Sequence, residues 1–279
     1  MPELPEVEVA RRAIEPELLG QEISGAACRT PSLRWPLDPA LDAILRGRTI
    51  ETVERRGKYL LLRCRIAGGG ARDAGWLIIH LGMSGSLRVV GRKTSPAVHD
   101  HFDLSVGAKL LRLRDPRRFG AVLWHPAESF ADHPLLARLG PEPFDQRLDA
   151  KWLHRALATR RGPVKPALMD SHLIVGIGNI YASESLFRAG VSPLRPAQRI
   201  AEARCGRLLD AAREVLAEAI SAGGSSLRDY VHTDGGAGCF QTRTAVYERT
   251  GEPCVRCGTP IRTVRQAGRS TYYCPECQH

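Results

Sequence analysis

The sequence of 279 residues predicts an α+β protein with more than one domain. This prediction rests on helical periodicity at the start of the chain, strand-like alternation through its middle and four closely spaced cysteines near its end. A formal net charge of +10 at pH 7 favours a polyanionic partner, and we expect nucleic acid rather than a membrane because no basic amphipathic helix has an aromatic apolar face. No apolar run approaches the roughly 18 residues of a membrane span, and the acidic N-terminus differs from a secretory signal. We therefore expect a cytosolic protein.

The first predicted element is a helix in residues 3–19, where four apolar side chains recur at helical spacing: Val7, Ala10, Ile14 and Leu18. Pro2 directly precedes this helix, and removal of an initiator methionine would leave it at the new terminus as a secondary amine. The residues alone allow two interpretations of Pro2. Either the proline only stiffens the first turn, or its freed amine is a nucleophile held at a helix N-terminus.

An antiparallel sandwich or barrel is predicted from about Thr49 to Trp124, where apolar and polar residues alternate between glycine-bearing turns such as VGAK. One strand is predicted to place four side chains on a single face: Leu60, Leu62, Cys64 and Ile66. A later strand alternates two leucines with two arginines: Leu111, Arg112, Leu113 and Arg114. In the segment DPRRFGAVLW that follows, Phe119 is either an aromatic wedge that unstacks a base pair or a buried residue flanked by exposed arginines.

Helices are predicted after the proline-rich linker GPEPFDQ and continue to Gly223 and Gly224. The segment LIVGIGNIYASESLF has the pattern of an apolar helix end, a turn built on Gly176 and Gly178, and a second helix. This pattern resembles the helix-turn-helix class of DNA-contacting units, in which such a turn brings backbone N–H groups close to a phosphate. An ordinary connection between two helices would have the same pattern, so both interpretations stay open.

The last predicted element is a metal-binding module with two Cys-x2-Cys pairs separated by 16 residues: Cys254, Cys257, Cys274 and Cys277. Two disulfides would be the alternative, but a reducing compartment argues against them. Four thiolates complete the tetrahedral coordination of one Zn²⁺ and leave no position for water, so we predict a structural zinc ion between two short hairpins. Four arginines make the module basic and predict phosphate contacts: Arg256, Arg262, Arg265 and Arg269.

Segments along the whole chain together resemble the bacterial formamidopyrimidine-DNA glycosylase family, which repairs oxidised purines: PELPEVE, RRGKYLLL, HLGMSGSL, HDHFDL, DPRRFG, GIGNIYASESLF and GRSTYYCPECQ. The resemblance implies an N-terminal helix with a β-sandwich, a helix-two-turn-helix domain and a zinc finger, which we place at residues 1–137, 138–238 and 239–279. Glu248 is a departure, because the family usually has glycine at this turn.

The resemblance also implies the chemistry. The Pro2 amine would attack C1′ of the damaged nucleotide and form a covalent iminium, which permits β,δ-elimination. Glu3 would protonate the opening sugar, with Glu6 as a possible helper. Lys58 would be a proton donor for β-elimination, and Arg269 would serve δ-elimination while binding phosphate. Simple phosphate contacts are the alternative for Lys58 and Arg269.

The implied partner is damaged double-stranded DNA. A wedge would fill the gap left by the flipped lesion, and it comprises Met83, Arg117 and Phe119. The implied DNA-backbone ligands are His80, His99, Arg118, Arg161, Lys165 and Asn179. The glycine-rich segment VHTDGGAGCFQ resembles the loop that covers the flipped base.

Three other functions remain as alternatives. A branch with the same fold prefers oxidised pyrimidines but usually lacks the RRFG and HLGMSG segments present here. A non-enzymatic zinc-ribbon DNA-binding protein would explain the charge and the cysteines but not an N-terminal proline. A metal-dependent nuclease would need clustered carboxylates around its ions. One active site per chain makes a monomer sufficient.

Overall fold

The structure is a computed structural model that describes residues 2–70, 73–224 and 244–279. The described residues form two compact units. The first contains the chain up to Ala137 together with Gly223 and Gly224, and the second contains Arg138–Ala222 and the residues from 244 onward. The segment predicted to cover the flipped base, residues 231–241, lies outside the described residues. The division into three domains stays a prediction.

Helix α1, Leu4–Leu18, opens the first unit and confirms the predicted amphipathic helix. Its four predicted apolar side chains are buried in the main core: Val7, Ala10, Ile14 and Leu18. The helix packs against strands of two sheets, so its N-terminus is held by the core of the unit and not only by its own turn.

Two four-stranded antiparallel sheets enclose this core and confirm the predicted sandwich. In chain order the elements are β1 Ile23–Cys28, a short helix α2 Leu41–Leu45, β2 Arg48–Arg56, β3 Tyr59–Ile66, β4 Ala74–His80, β5 Ser86–Gly91, β6 Asp100–Val106, β7 Lys109–Arg114 and β8 Ala121–His125. One sheet has the strand order β2-β3-β4-β8 and the other β1-β6-β7-β5.

The predicted alternation is present in β3 and β7, although the burial of two side chains does not follow from it. Leu60, Leu62 and Cys64 join the core, but Ile66 is 40% exposed because it ends its strand. Arg112 was expected on a polar face and is instead buried, since its Nε and Nη2 donate to both carboxylate oxygens of Asp103 at 2.8 Å. A buried arginine is tolerated only with such a partner.

The second unit begins with four helices: α3 Ala150–Leu157, α4 Val164–Leu168, α5 Asn179–Arg188 and α6 Glu202–Ser221. The prediction that Leu173–Val175 end a helix is wrong, because α4 ends at Leu168 and these residues lie in turns. Their side chains are buried, and a short apolar run does not by itself distinguish a helix from a buried turn. The second predicted helix is confirmed as α5, which follows Gly178.

The C-terminal part of this unit contains one antiparallel hairpin, with β9 at Arg262–Gln266 and β10 at Arg269–Tyr273. The two cysteine pairs lie in turns before and after this hairpin rather than in two hairpins. Phe187 of α5 and Val246 pack with Cys254, Ile261 and Cys274 in a small core. Among the described residues, no helix has the length and apolar character needed to cross a membrane.

Candidate catalytic and DNA-contacting sites

Pro2 lies immediately before α1 and is buried, with Glu3 as the N-cap of the helix. The Glu3 N–H donates to Glu6 Oε2 at 2.8 Å, and the reciprocal contact from the Glu6 N–H to the Glu3 carboxylate completes a capping box. Both carboxylates are buried. The capping box therefore fixes the Pro2–Glu3 peptide relative to α1, and the positive end of the helix dipole disfavours an ammonium at Pro2.

Helix α1 is tied to β2 through Glu8. Its carboxylate accepts hydrogen bonds from Arg11 and Arg12 of the same helix and from Arg55 of β2, the last at 3.0 Å. Burial alone would raise the pKa of Glu8, but the hydrogen bonds and charges of these arginines hold it below its usual value. The ion pairs keep the start of α1 in place against the sheet.

Lys58 lies in the turn between β2 and β3, beside the pair formed by Tyr59 and His80. The two rings are 4.8 Å apart. Burial, followed by the charges of Lys58 and Arg34, lowers the pKa of His80 to about 4, and its Nδ1 accepts the Gly82 N–H at 3.0 Å. His80 is therefore neutral at pH 7 with its proton on Nε2, so it is a donor and not a cation.

The nearby Arg34 was not selected from the sequence. Its charge acts on both Tyr59 and His80 although it lies some twenty residues or more before them. The basic residue in SLRWP was the only signal for it, and single exposed arginines are too common to interpret.

The predicted wedge residues lie on two loops that pack together. Phe119 is 41% exposed, and the Arg117 guanidinium lies 4.9 Å above its ring, so the interpretation of Phe119 as a core residue is wrong. Met83 is between Gly82 and Ser84 on one loop, and Arg117 and Phe119 are on the other. The Arg117 N–H donates a hydrogen bond to Ser84 Oγ, and the Gly82 backbone packs on the Phe119 backbone. The structure therefore brings the three predicted wedge residues into one region.

His99 and Arg118 both have left-handed backbones, with φ of +73° and +55°. Non-glycine residues adopt this conformation rarely and mostly where the surroundings hold it. Both residues are bonded to the backbone of Asp115. The Asp115 N–H donates to the His99 carbonyl, and the Asp115 carbonyl accepts the Arg118 N–H. Arg118 is exposed and His99 is half-buried, which is compatible with the predicted backbone contacts.

In the second unit, Lys165 differs from an exposed phosphate ligand, the role that was expected of it. Its side chain is 1% exposed, and its ammonium donates to Asn179 Oδ1 at 2.6 Å, the Ser270 carbonyl at 2.9 Å and Thr271 Oγ1 at 2.8 Å. An ammonium group has three donors, and these bonds tie Lys165 to the start of α5 and to β10. Lys165 therefore holds these elements in position, and its contact with the DNA backbone stays a prediction.

Two of the predicted ligands are adjacent to this lysine. Asn179 is the first residue of α5, and the bond to Lys165 turns its amide so that Oδ1 faces the lysine. Arg269 begins β10 and directly precedes Ser270. Arg269 is exposed, as is Arg161 before α4, so both can reach a phosphate.

The four cysteines of the predicted metal site are close together. Their sulfur atoms all lie within 4.8 Å of one another, with Cys254 and Cys277 at 3.9 Å and Cys257 and Cys274 at 3.5 Å. These separations exclude disulfide bonds, which are ~2.05 Å long. Zn–S distances of ~2.3 Å in a tetrahedron place sulfurs ~3.8 Å apart, so the cluster fits one Zn²⁺.

The basic residues of this module have different roles. Arg256 donates to the carbonyls of Phe187 and Arg188 and lies 4.5 Å from the Phe187 ring, so it caps the C-terminus of α5 although the residue is exposed. The other three arginines of the module are exposed on the hairpin: Arg262, Arg265 and Arg269. The phosphate contacts of the module stay a prediction. Glu248 has a φ of +59°, which explains why glycine is expected at that turn.

A further residue missed in the sequence is Glu184 of α5. Its buried carboxylate accepts the backbone N–H groups of Ala245, Val246 and Tyr247 at 2.8, 3.0 and 2.9 Å. Burial raises the pKa of Glu184, while the three N–H donors oppose that rise. Glu184 thus anchors the chain that leads into the cysteine module, and nothing in SESLF distinguishes it from a solvated helix residue.

Comparison with known proteins covers the whole chain. Residues 1–122 match the family model described as the formamidopyrimidine-DNA glycosylase N-terminal domain, residues 139–231 its H2TH domain, and residues 251–279 a zinc finger found in FPG and IleRS. Proteins named formamidopyrimidine-DNA glycosylase from Dechloromonas aromatica and Ralstonia nicotianae are 59% and 51% identical to the chain, with 100% of each sequence covered.

Solved structures agree with these matches. The MutM (Fpg) protein from Thermus thermophilus is 43% identical, with a TM-score of 0.86 over 99% of this chain and 98% of that one. The Lactococcus lactis Fpg in complex with DNA containing an abasic site is 34% identical, with a TM-score of 0.89 over 99% of both chains. With matches of this extent in sequence and in structure, the chain belongs to the formamidopyrimidine-DNA glycosylase family.

Proposed function

We propose that the protein is a bifunctional DNA glycosylase and AP lyase that removes oxidised purines from duplex DNA through the amine of Pro2. The observation that carries this proposal is the position of Pro2 at the start of α1, next to the buried capping box of Glu3 and Glu6. An α-amine with a reference pKa of ~7.7–8.0 is partly neutral near pH 7, and the helix dipole favours the neutral form. This amine is therefore available as a nucleophile once Met1 is removed.

In the first step, the Pro2 nitrogen forms a bond to C1′ while the bond from C1′ to the damaged base breaks and its electron pair leaves with the base. The nitrogen loses its proton, which the departing base takes up, and the nitrogen lone pair then opens the sugar ring. Glu3 donates the proton that the ring oxygen O4′ needs. The product is an iminium between Pro2 and C1′.

The iminium acidifies the C2′ proton, because the electron pair left by that proton is delocalised into the C=N⁺ bond. Loss of the proton expels the 3′ phosphate by β-elimination, and a second elimination expels the 5′ phosphate. We assign proton donation during β-elimination to Lys58 and phosphate binding during δ-elimination to Arg269, which is exposed at the start of β10.

The DNA contacts proposed for the chain follow from exposure and loop position. The wedge loops carry Met83, Arg117 and Phe119, and the exposed aromatic ring has the character needed to enter a base stack. Because the loops contain the RRFG and HLGMSG segments, which the pyrimidine-specific branch usually lacks, we propose oxidised purines as the substrates. One Zn²⁺ on the four thiolates would stabilise the finger and supply no chemistry. We propose residues 1–137, 138–238 and 239–279 as the functional modules of a cytosolic protein that acts as a monomer.

Borohydride trapping tests the proposal directly. The protein is incubated with a duplex containing 8-oxoguanine, and borohydride reduces the iminium to a stable protein–DNA adduct. We expect the adduct to map by mass spectrometry to the N-terminal peptide beginning at Pro2. The matched control is the same protein with Met1 retained, whose amide nitrogen cannot form an iminium.

Absence of an adduct under conditions of strand cleavage would overturn the mechanism, and an adduct on Lys58 would transfer the nucleophile to that residue. Faster excision from duplexes with thymine glycol than with 8-oxoguanine would indicate the pyrimidine-specific branch. Strand cleavage that EDTA abolishes would indicate a metal-dependent nuclease.

A further inference from the structure

A buried carboxylate that the proposed reaction does not use joins the two wedge loops. Asp115 is fully buried at the end of β7, and the Ser84 hydroxyl donates to its Oδ1 at 2.8 Å while the Gly120 N–H donates to its Oδ2 at 2.7 Å. Ser84, which is 1% exposed, also accepts the Arg117 N–H at 3.2 Å. Both oxygens of Asp115 are therefore bonded to the loops that carry the wedge.

The positions of these bonds constrain the exposed residues between them. The bonded N–H groups of Arg117 and Gly120 flank Arg118 and Phe119 on both sides. Ser84 directly follows Met83. Asp115 thus sets the backbone on one side of the aromatic tip directly, and on the other side and beside the methionine through Ser84.

Backbone packing leaves no space for a side chain between the loops. A Cβ atom at Gly82, which has a φ of +65°, would lie 2.3 Å from the Phe119 carbonyl carbon. A Cβ atom at Gly120 would lie 2.8 Å from the His80 carbonyl oxygen and 3.0 Å from Asp115 Oδ2. The loops therefore meet backbone to backbone, and the hydrogen bonds of Asp115 and Ser84 fix their register.

We propose that Asp115 and Ser84 are positioning residues that hold Met83, Arg117 and Phe119 in the geometry needed to enter the base stack. This inference rests on the proposed function, because it concerns the step in which the lesion is extruded. A wedge on a mobile loop would lose conformational entropy on insertion, whereas a loop that is already ordered loses less. Neither residue contacts DNA in this role.

The test measures single-turnover base release from a duplex with 8-oxoguanine and, separately, strand cleavage of a duplex with an abasic site, which has no base to extrude. Ser84→Ala removes the hydroxyl that bonds to Asp115 Oδ1 and to the Arg117 N–H, so the two wedge loops lose the hydrogen bonds that join them through Ser84. We expect base release to slow roughly tenfold or more and abasic cleavage to change less than about twofold.

A double-mutant comparison with the wedge residue Phe119 distinguishes a positioning role from a merely structural one. Ser84→Ala should add little to the defect of Phe119→Ala, because both act on the same step and residues acting as a unit are not additive. The matched control is Asp103→Asn, which weakens another buried carboxylate of the same unit, one that accepts hydrogen bonds from Arg29 and Arg112 rather than from the wedge loops. We expect this control to lower the melting temperature and to change the rates of base release and of abasic-site cleavage by similar factors.

Equal losses on the two substrates, or full additivity of Ser84→Ala with Phe119→Ala, would overturn the inference. Asp115→Ala is the second variant and should follow Ser84→Ala in its substrate dependence; if it does not fold, Ser84→Ala alone decides. Borohydride trapping of the wild-type protein is run in parallel. If the wild-type protein forms no adduct, the result counts against Pro2 chemistry. If the wild type traps normally and Ser84→Ala slows base release and abasic-site cleavage equally, the result counts against the positioning role alone.

Discussion

Replacing Lys165 by methionine tests the role that the structure gives to this residue. The substitution keeps the length of the side chain and removes the ammonium that bonds to Asn179, Ser270 and Thr271. The Thr271 hydroxyl keeps its hydrogen bond to Gln266 at 3.0 Å, but Asn179 Oδ1 and the Ser270 carbonyl lose this donor. An unsatisfied acceptor costs ~1–3 kcal/mol when buried, but water reaches half-buried Asn179 and exposed Ser270, so we expect the unfolding free energy to fall by about 1–3 kcal/mol in total.

Urea unfolding of the zinc-loaded protein measures this loss, and Lys151→Met is the matched control because Lys151 is an exposed lysine of α3 in the same unit. Removal of an exposed charge typically changes stability by less than about 0.5 kcal/mol. If Lys165→Met were as stable as Lys151→Met and had lost only DNA affinity, Lys165 would be the phosphate ligand first expected from the sequence, and our interpretation of its hydrogen bonds would be wrong.

Three further predictions concern the metal, one histidine and the N-terminus. Elemental analysis should find one zinc per chain, and Cys257→Ser should lose zinc and DNA binding together; a metal-free protein with normal DNA binding would contradict this. Because burial lowers the pKa of His80 from 6.5 to about 4, the folded state favours neutral imidazole, so the stability it contributes is present above pH ~6.5 and is lost as pH falls towards about 4. The loss should total roughly 3 kcal/mol in urea unfolding relative to His80→Asn, which keeps an acceptor without titrating, and identical pH profiles would refute it. Retention of Met1 should abolish base release and trapping while duplex binding survives, since phosphate contacts lie elsewhere; full activity with Met1 confirmed by mass spectrometry would exclude the Pro2 amine.

The parts of the fold that the sequence predicts correctly are those decided by local periodicity or by fixed ligand spacing. Val7, Ala10 and Ile14 repeat with the period of a helix, and α1 follows from that repeat alone. The cysteine cluster likewise needs only two pairs and a chain long enough to turn back between them.

The burial of a side chain is not predictable from the sequence where it depends on a partner far along the chain. Lys165 and Thr271 are 106 positions apart, so no local pattern in VKPAL shows that this lysine is buried. In the sequence, Arg112 is one of the polar residues of an alternating strand. Only the pairing of β7 with β6 shows that Asp103 lies beside it. A basic residue has the same sequence signature whether it is solvated or paired, and only the fold distinguishes the two states.

The same distinction changes how the net charge of +10 relates to DNA binding. Glu8 alone accepts hydrogen bonds from three arginines of the first unit, and Arg188 pairs with Glu214 and Glu218 in the second. A cation held at short range by a carboxylate contributes little to the field at distances much larger than their separation, because the two charges nearly cancel there, and salt screens what remains over ~8–10 Å. The positive field available to phosphates therefore depends on where basic side chains stand exposed, as Arg117 and Arg118 do, rather than on the sum over the chain. Since exposed loop cations lose orientation unless the backbone beneath them is held, buried groups such as Asp115 matter to DNA recognition although they never meet a phosphate.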